Sequence, residues 1–227
     1  MILAIDTATR NASLAVYDGA LVRAEVTWET ADRHTVELMP RIIDLLRQIE
    51  VSIDQITGLA VSIGPGSYTG VRVGVAAAKG LAVARELPIV GIRSTDILAA
   101  AHANSKSPMV VVVRAGRGRL IAAPYSKGRN PLTLWHQTGE FTLTTADQLG
   151  NDWFRPTTLC GELTAAERES IAARLGERVL LSSPAMSVRR AGFLAELAWQ
   201  RIQSGDADDP ARLQPIYVAP VIEGRTA

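Results

Sequence analysis

A glycine-rich segment, GPGSYTG at residues 64–70, is the first candidate for chemistry in this sequence. It follows a short apolar stretch and opens a helical pattern, a setting in which backbone N–H groups attract anions. A phosphate loop needs a lysine after its last glycine, but Val71 stands there, and the glycine spacing is too long for a dinucleotide fingerprint. We therefore interpret the segment as a sharp strand-to-helix turn in which Ser67 or Thr69 caps the helix. The residues that make the turn are Gly64, Pro65, Gly66 and Gly70.

The second candidate is the acidic turn IDTAT near the start of the chain. Asp6, Thr7 and Thr9 could hold a magnesium ion or phosphate oxygens, because a carboxylate and two hydroxyls are oxygen ligands. The same residue types also form Asx turns and hydroxyl turns for purely local reasons. The residues leave both interpretations open.

Other catalytic and metal-binding patterns are absent from the sequence. His34, His102 and His136 lie far apart, so no helical pair can bind zinc, and we predict no metal site. No G-x-S-x-G elbow occurs, and the single cysteine, Cys160, lies in an apolar stretch typical of a core residue. The sequence therefore offers no recognisable machinery for nucleophilic hydrolysis.

The composition is that of a globular protein, with 47% apolar and 21% charged residues among 227. A net charge of +1 supplies no general field to attract nucleic acid or an anionic membrane. Asp6 interrupts the apolar start, and no later stretch reaches about 18 uncharged apolar residues. We therefore expect a cytoplasmic protein without a membrane segment or signal peptide.

The first half predicts an antiparallel strand meander within residues 2–28, followed by helix, strand and helix. Residues 32–49 and 70–86 carry apolar side chains at helical spacing, and the uncharged residues 56–64 between them predict a buried strand. Glycine inside a helix costs about 1 kcal/mol relative to alanine, so the second, glycine-rich helix needs compensation from packing. We expect its wide apolar surface to be covered by this chain or by another subunit. Ser94 is predicted to cap the next helix.

A second unit follows a polar linker at residues 103–108 and again places strands before helices. Thr164 with Glu167 predicts a capping box at the start of one of these helices. We therefore predict an α/β fold with two domains, residues 1–105 and 106–227, whose last helix can pack back on the first domain.

A basic cluster marks a predicted hairpin of the second unit. These side chains either contact phosphates of RNA or are solvated. The cluster consists of Arg114, Arg117, Arg119, Lys127 and Arg129.

Three motifs together resemble those of the TsaB (YeaZ-like) family. They are ILAIDTAT at the start, His34 with LMP in the first predicted helix, and above all GPGSYTGVRVGVAAAKGLA at residues 64–82. The resemblance is strong over residues 1 to about 100 and weaker beyond, where it consists of the order of elements and PIYV near the end. It implies a fold of the actin-like ATPase superfamily: two tandem ribonuclease H-like domains, the second smaller and diverged.

The resemblance implies a non-catalytic subunit. Family members support TsaD, which transfers threonylcarbamoyl to N6 of the adenosine adjacent to the tRNA anticodon, and in bacteria they also join the ATPase TsaE. A homodimer when alone, and contact with tRNA only through the complex, are further implications. No cofactor is required by this chain, with ATP or ADP at the partner interface left open.

At two places the sequence departs from the family pattern for binding a metal or a nucleotide. The catalytic relative holds its metal through an H-x-x-x-H pair, whereas here His34 is followed by Leu38. Arg114 and Arg119 stand where family members usually carry carboxylates, and an arginine cannot ligate a metal. Magnesium or nucleotide chemistry in the cleft of this chain is therefore in doubt.

We expect the helices at 32–49 and 70–86 to lie side by side and to present a joint apolar surface to TsaD. Gly74→Arg or Ala78→Arg is then expected to abolish association while the monomer stays folded. A rival hypothesis is a kinase or ATPase that uses the Asp6-Thr7 loop and Thr9, and a third is direct tRNA binding through the basic hairpin. The predicted partner-binding residues are Val36, Met39, Ile43, Leu46, Val71, Gly74, Val75, Ala78 and Ala82.

Overall fold

The structure is a computed structural model that describes residues 1–31, 33–128 and 134–218. These residues form a mixed α/β fold with two sheets, as the sequence predicted at this level. Within them, no helix has the length and apolar character needed to cross a membrane.

The first sheet has the strand order β3-β2-β1-β4-β5. Its strands are β1 (Ile2–Asp6), β2 (Asn11–Tyr17), β3 (Val22–Glu29), β4 (Gly58–Ser62) and β5 (Ile89–Ile92). The first three strands are antiparallel, which confirms the predicted meander, and β4 and β5 run parallel to β1. Alternate residues of β1 therefore point to opposite faces of the sheet, and both faces need a cover.

Helices cover both faces of this sheet. On one face, α1 (His34–Gln48) and α2 (Tyr68–Arg85) pack on Leu3 and Ile5. On the other face, α5 (Ala191–Gln203) packs on Ile2 and Ala4. The last helix of the chain thus completes the core of the first sheet.

The second sheet has the order β11-β10-β6-β7-β8, with β9 paired to β7. Its strands are β6 (Met109–Gly116), β7 (Arg119–Lys127), β8 (Trp135–Gln137), β9 (Thr142–Thr144), β10 (Thr157–Gly161) and β11 (Val179–Leu181). Strands β6, β7 and β8 are antiparallel, and β10 and β11 run parallel to β6. The two sheets therefore share one order and one set of strand directions.

Helices α3 (Ser94–Ala100) and α4 (Ala165–Leu175) cover the second sheet from opposite faces. The predicted capping box is present, because the Thr164 hydroxyl accepts from the Glu167 N–H and the Glu167 side chain accepts from the Thr164 N–H. Helix α3 precedes the predicted boundary at residue 105 but packs on the second sheet, and α5 follows the boundary but packs on the first sheet. The domain division at residue 105 stays a prediction, and helices on each side of it pack on the sheet of the other half.

Candidate functional site

The glycine-rich turn is hydrogen-bonded to the loop that follows β1 and packs closely against it. The Ser67 N–H donates to the Ala8 carbonyl oxygen at 2.6 Å, and a Cβ on Gly66 would lie 2.1 Å from that same oxygen. Ser67 caps α2, because its hydroxyl accepts from the Gly70 N–H at 3.3 Å. The segment therefore serves as the predicted strand-to-helix turn, and its partner is this chain's own backbone.

The start of α3 is held by the same turn. The Ser94 hydroxyl donates to the Pro65 carbonyl oxygen at 2.5 Å, and the Ser94 N–H donates to the Gly64 carbonyl oxygen at 2.8 Å. Ser94 is the first residue of α3, so the prediction that it is the N-cap is wrong. Its hydroxyl is used for a tertiary contact instead of a local one.

The small residues of α2 bring the helix onto the same loop. The Thr7 hydroxyl donates to the Gly70 carbonyl oxygen at 2.7 Å. A Cβ on Gly70 would lie 2.3 Å from the Thr7 carbonyl oxygen, and one on Gly74 would lie 2.3 Å from Thr7 Oγ1. The packing that compensates for glycine in this helix is therefore internal.

This geometry corrects the predicted partner surface. Six of the predicted partner-binding residues are buried in the core of the chain's own fold, because the helical period turns them toward the sheet: Leu46, Val71, Gly74, Val75, Ala78 and Ala82. An arginine at Gly74 or Ala78 would disrupt that core, so we now expect these variants to be destabilised as monomers. These substitutions cannot test docking.

The other predicted partner-binding residues do lie at the surface. The relative exposures of Val36, Met39 and Ile43 are 61%, 41% and 52%. Between α1 and α2 lies a groove of about 410 Å³, which is lined by Met39 from α1 and by Tyr68 and Ala76 from α2, among others. We call the outward surface of these two helices the α1–α2 face.

One side of the α1–α2 face carries an aromatic and cationic cluster that the sequence reasoning missed. The Arg72 guanidinium lies 4.1 Å from the centre of the Tyr68 ring, and its Nε donates to the Tyr217 hydroxyl at 2.9 Å. A second groove, of about 590 Å³, lies between α2 and the segment around Leu213 and Tyr217. The spacing of Tyr68 and Arg72, four residues apart on a helix, could have shown that they share a face.

The loop that carries Asp6, Thr7 and Thr9 is engaged on all three side chains. Asp6 Oδ1 accepts from the Ala8 N–H at 2.8 Å, which is an Asx turn, and Oδ2 accepts from Arg189 Nε at 2.8 Å. Thr9 Oγ1 donates to Glu162 Oε1 at 2.5 Å and accepts from Arg189 at 2.8 Å. The predicted Asx turn therefore accounts for one carboxylate oxygen of Asp6, and an ion pair with a distant residue accounts for the other.

Arg189 and Glu162 were not singled out from the sequence. Arg189 forms ion pairs with both Asp6 and Glu162, although 183 residues separate it from Asp6. Burial acts to lower the pKa of Arg189, but the charges and hydrogen bonds of the two carboxylates outweigh it and raise that pKa above its ordinary value. No local pattern in the sequence could have joined these residues.

The basic hairpin is partly used within the fold. Arg114 donates to Glu167 Oε1 at 2.9 Å, and its backbone N–H donates to Glu162 Oε2 at 3.2 Å. Arg117 lies in the tight turn between β6 and β7, where its φ is +54°. Arg129 is outside the described residues. In the described part of the chain, no group of three or more His, Cys, Asp or Glu side chains is placed to hold a metal ion.

The fold and this site define a class of protein. It is a two-sheet α/β chain with an exposed helix pair, and its Asp6–Thr9 loop is hydrogen-bonded to other residues of the same chain. A family model described as TsaD, tRNA N6-adenosine threonylcarbamoyltransferase, matches residues 26–219. The chain therefore belongs to that family.

Within that family, the curated relatives group this chain with the TsaB (YeaZ-like) proteins, and a solved YeaZ structure has the same fold. The tRNA threonylcarbamoyladenosine biosynthesis protein TsaB of Escherichia coli is 36% identical over 138 residues, which are 60% of this chain and 58% of that protein. TsaB of Bacillus subtilis is 28% identical over 226 residues, 96% of this chain and 93% of that protein. YeaZ from Pseudomonas aeruginosa has the same fold, with a TM-score of 0.74 at 20% identity over 96% of this chain and 99% of that one.

Proposed function

We propose that this chain is the TsaB-type subunit in the synthesis of N6-threonylcarbamoyladenosine in tRNA, and that it supports a TsaD-type catalytic subunit through the α1–α2 face. Family membership supports the pathway, because the relatives are tRNA threonylcarbamoyladenosine biosynthesis proteins. The observation that carries the mode of action is the open α1–α2 face, where apolar side chains lie exposed beside a groove.

The partner is proposed to contribute a related pair of helices. The family model that matches this chain is that of the catalytic TsaD protein, which supports a common architecture for the two subunits. Two similar helix pairs that face one another would form a four-helix layer across a pseudo-twofold axis. A standard interface removes about 800 Å² per partner from water, but affinity depends on a few well-packed anchors. Ile43, Met39 and Tyr68 are the anchors that this geometry offers.

The substitution Ile43→Arg tests this face. Ile43 is half exposed, so an arginine there leaves the core intact but places a charge in the proposed interface. We expect the affinity for the purified TsaD-type subunit, measured by titration calorimetry, to fall by about 100-fold or more. Leu180→Arg is the matched control, because Leu180 is a similarly exposed aliphatic residue on the second sheet. Equal affinities for the two variants would place the interface elsewhere.

The chain is proposed to be non-catalytic. Two observations support this: Asp6 and Thr9 are occupied by ion pairs and hydrogen bonds within the fold, and Cys160 is buried, which raises the pKa of its thiol. The test is an assay with tRNA and threonylcarbamoyl adenylate. We expect no modified adenosine from this chain alone and product when the TsaD-type subunit is added. Turnover by the isolated chain would overturn the non-catalytic role.

The rival functions are less well supported. A kinase-like activity at Asp6 is not favoured, because both carboxylate oxygens of Asp6 already accept hydrogen bonds. Direct tRNA binding through the basic hairpin competes with the ion pair between Arg114 and Glu167. A gel shift of tRNA by the isolated chain that weakens steeply with added salt would favour that function.

The remaining expectations stay proposals. We infer that each sheet with its helices is a ribonuclease H-like unit, and the shared strand order and directions support this. A TsaE-type ATPase as a further partner, a homodimer through the α1–α2 face when the chain is alone, and action in the cytoplasm where tRNA is modified are also proposed. No cofactor is assigned to this chain, and ATP or ADP at the partner interface stays an expectation.

A further inference from the structure

Among the described residues, the largest side chain that is fully buried is a charged one, Arg189, whose side chain has a relative exposure of 0%. It lies just before α5, between the first sheet and the second. Asp6 ends β1 of the first sheet, and Glu162 directly follows β10 of the second. Arg189 pairs with both carboxylates, so one guanidinium joins the two halves of the chain.

The surroundings of the guanidinium consist of oxygen acceptors. Nε donates to Asp6 Oδ2 at 2.8 Å, and Nη2 donates to Thr9 Oγ1 at 2.8 Å and to the Asn11 carbonyl oxygen at 2.6 Å. Nη1 donates to Glu162 Oε1. Two carboxylates, a hydroxyl and a carbonyl are the ligand types that a hard divalent cation takes in proteins.

The resemblance to the actin-like ATPase superfamily implies magnesium and a nucleotide, and the residues present do not fit that pair at this loop. Asp6 Oδ1 is held by the Ala8 N–H, and Oδ2 and the Thr9 hydroxyl are held by Arg189. A metal ion would have to displace a guanidinium that makes four hydrogen bonds in a site closed to solvent. Breaking such a buried pair is strongly unfavourable.

We propose that Arg189 is a built-in counter-cation: it occupies the place of a divalent cation between Asp6 and Glu162 and clamps the two halves without metal or nucleotide. The relative placement of the halves is then constant, whatever the Mg²⁺ and ATP concentrations. Removing the guanidinium leaves a cavity with two facing carboxylates, and that cavity becomes a site for a divalent cation. This inference concerns the isolated chain and does not depend on the proposed partner.

The test compares Arg189→Ala with Arg190→Ala. Arg190 is the next residue and pairs with Glu25 at the exposed surface, so its loss makes the same change of charge and size without touching the buried cluster. In EDTA, we expect Arg189→Ala to lower the Tm by about 10 °C, because it leaves two carboxylates unpaired in the interior. Arg190→Ala is expected to lower it by no more than about 2 °C.

Mn²⁺ is the probe for the cation site. We expect Mn²⁺ to raise the Tm of Arg189→Ala by about 5 °C relative to NaCl of equal ionic strength, and bound Mn²⁺ detected by electron paramagnetic resonance to saturate near equimolar metal. The wild-type chain and Arg190→Ala are expected to show neither effect. Glu162→Gln in the Arg189→Ala background removes one ligand and should abolish the Mn²⁺ response.

Each other outcome decides against the clamp. Equal Tm values for the two arginine variants in EDTA would show that Arg189 holds nothing together, and a destabilised Arg189→Ala that ignores Mn²⁺ would show that the cavity is not a cation site. Binding of Mg-ATP to the wild-type chain that is lost in Asp6→Asn would also overturn it. If Arg189→Ala does not fold in EDTA, recovery of folded protein on refolding with Mn²⁺ supports the proposal, and failure to recover refutes it.

Discussion

The two halves of the chain have the same strand order but differ in what connects corresponding strands. In the first half, α1 connects β3 to β4, and it lies beside α2 on one face of the sheet. In the second half, residues 138–156, which connect β8 to β10, form β9 and turns without a helix. Of these two sheets, the first therefore carries a helix pair, and its outward surface is the proposed docking face.

The helices at corresponding places also differ in composition. Helix α2 follows β4 and approaches the sheet through glycine and alanine, whereas α4 follows β10 and buries Ile171 and Leu175. Close approach in α2 is required because the loop after β1 lies between this helix and the second half. The difference indicates that the glycine-rich motif serves the junction of the halves, and that docking depends on the larger side chains outside it.

The largest expected effect contrasts two neighbouring residues of α1. Ile42 is 2% exposed and Ile43 is 52% exposed. We expect Ile42→Ala to lower the free energy of unfolding by about 4 kcal/mol through the cavity it leaves, and Ile43→Ala to change it by less than about 0.5 kcal/mol. The affinity for the TsaD-type subunit should respond in the opposite order, with about a 10-fold loss for Ile43→Ala. Urea denaturation and calorimetry measure the two quantities, and an Ile43→Ala variant that unfolds easily would contradict the assignment of faces.

The next effect contrasts two glycines of α2. A Cβ on Gly70 would meet the Thr7 carbonyl oxygen at 2.3 Å, whereas a Cβ on Gly80 would meet nothing within 4 Å. We expect Gly70→Ala to destabilise the fold by about 3 kcal/mol and Gly80→Ala to stabilise it by about 0.5–1 kcal/mol, since alanine favours the helix. Thermal unfolding of both variants checks this. Similar Tm values would mean that the helix does not depend on the close approach.

The smallest effect contrasts the caps of α2 and α4. Ser67→Ala removes the hydroxyl that caps α2, whereas Glu167→Gln keeps the capping oxygen of α4 but removes the charge that pairs with Arg114; each is expected to cost about 1 kcal/mol at neutral pH. Burial acts to raise the pKa of the Glu167 carboxyl, but hydrogen bonds from Arg114 and Thr164 outweigh it and hold the pKa below its ordinary value of 4.5. A carboxyl whose pKa falls on folding stabilises the protein above its unfolded pKa and loses that contribution as the pH falls through the folded pKa.

The effects of the two substitutions on the free energy of unfolding should therefore respond differently to acid. The difference between wild type and Glu167→Gln should shrink as the pH falls below 4.5, whereas the cost of Ser67→Ala should stay constant, because no titratable group takes part in that cap. Unfolding free energies from urea titrations at several pH values give both curves. Parallel curves would show that the charge of Glu167 does not contribute to the cap.

Local patterns were enough to predict the elements of the first half, but β9, β10 and β11 of the second half were not predicted. The turn at Gly64 to Gly66, the strand meander and the capping box of Thr164 with Glu167 each depend on neighbours in the chain, and each is confirmed. The face of α2 that carries Gly74 and Ala78 was predicted to meet a partner, but it packs on this chain's own sheet. Glycine and alanine at helical spacing show that something approaches closely, but spacing does not say whether it is the chain's own Thr7 or a partner.

The sequence by itself determined the order of elements in the first half, the turn chemistry and the family, because these depend on side chains near one another along the chain. Only the tertiary structure decided which face of α2 is covered, that α3 packs on the second sheet, and that Arg189 meets Asp6 and Glu162. These outcomes depend on contacts between distant residues, and a buried charge is tolerated only where folding brings its counter-charges within hydrogen-bonding distance.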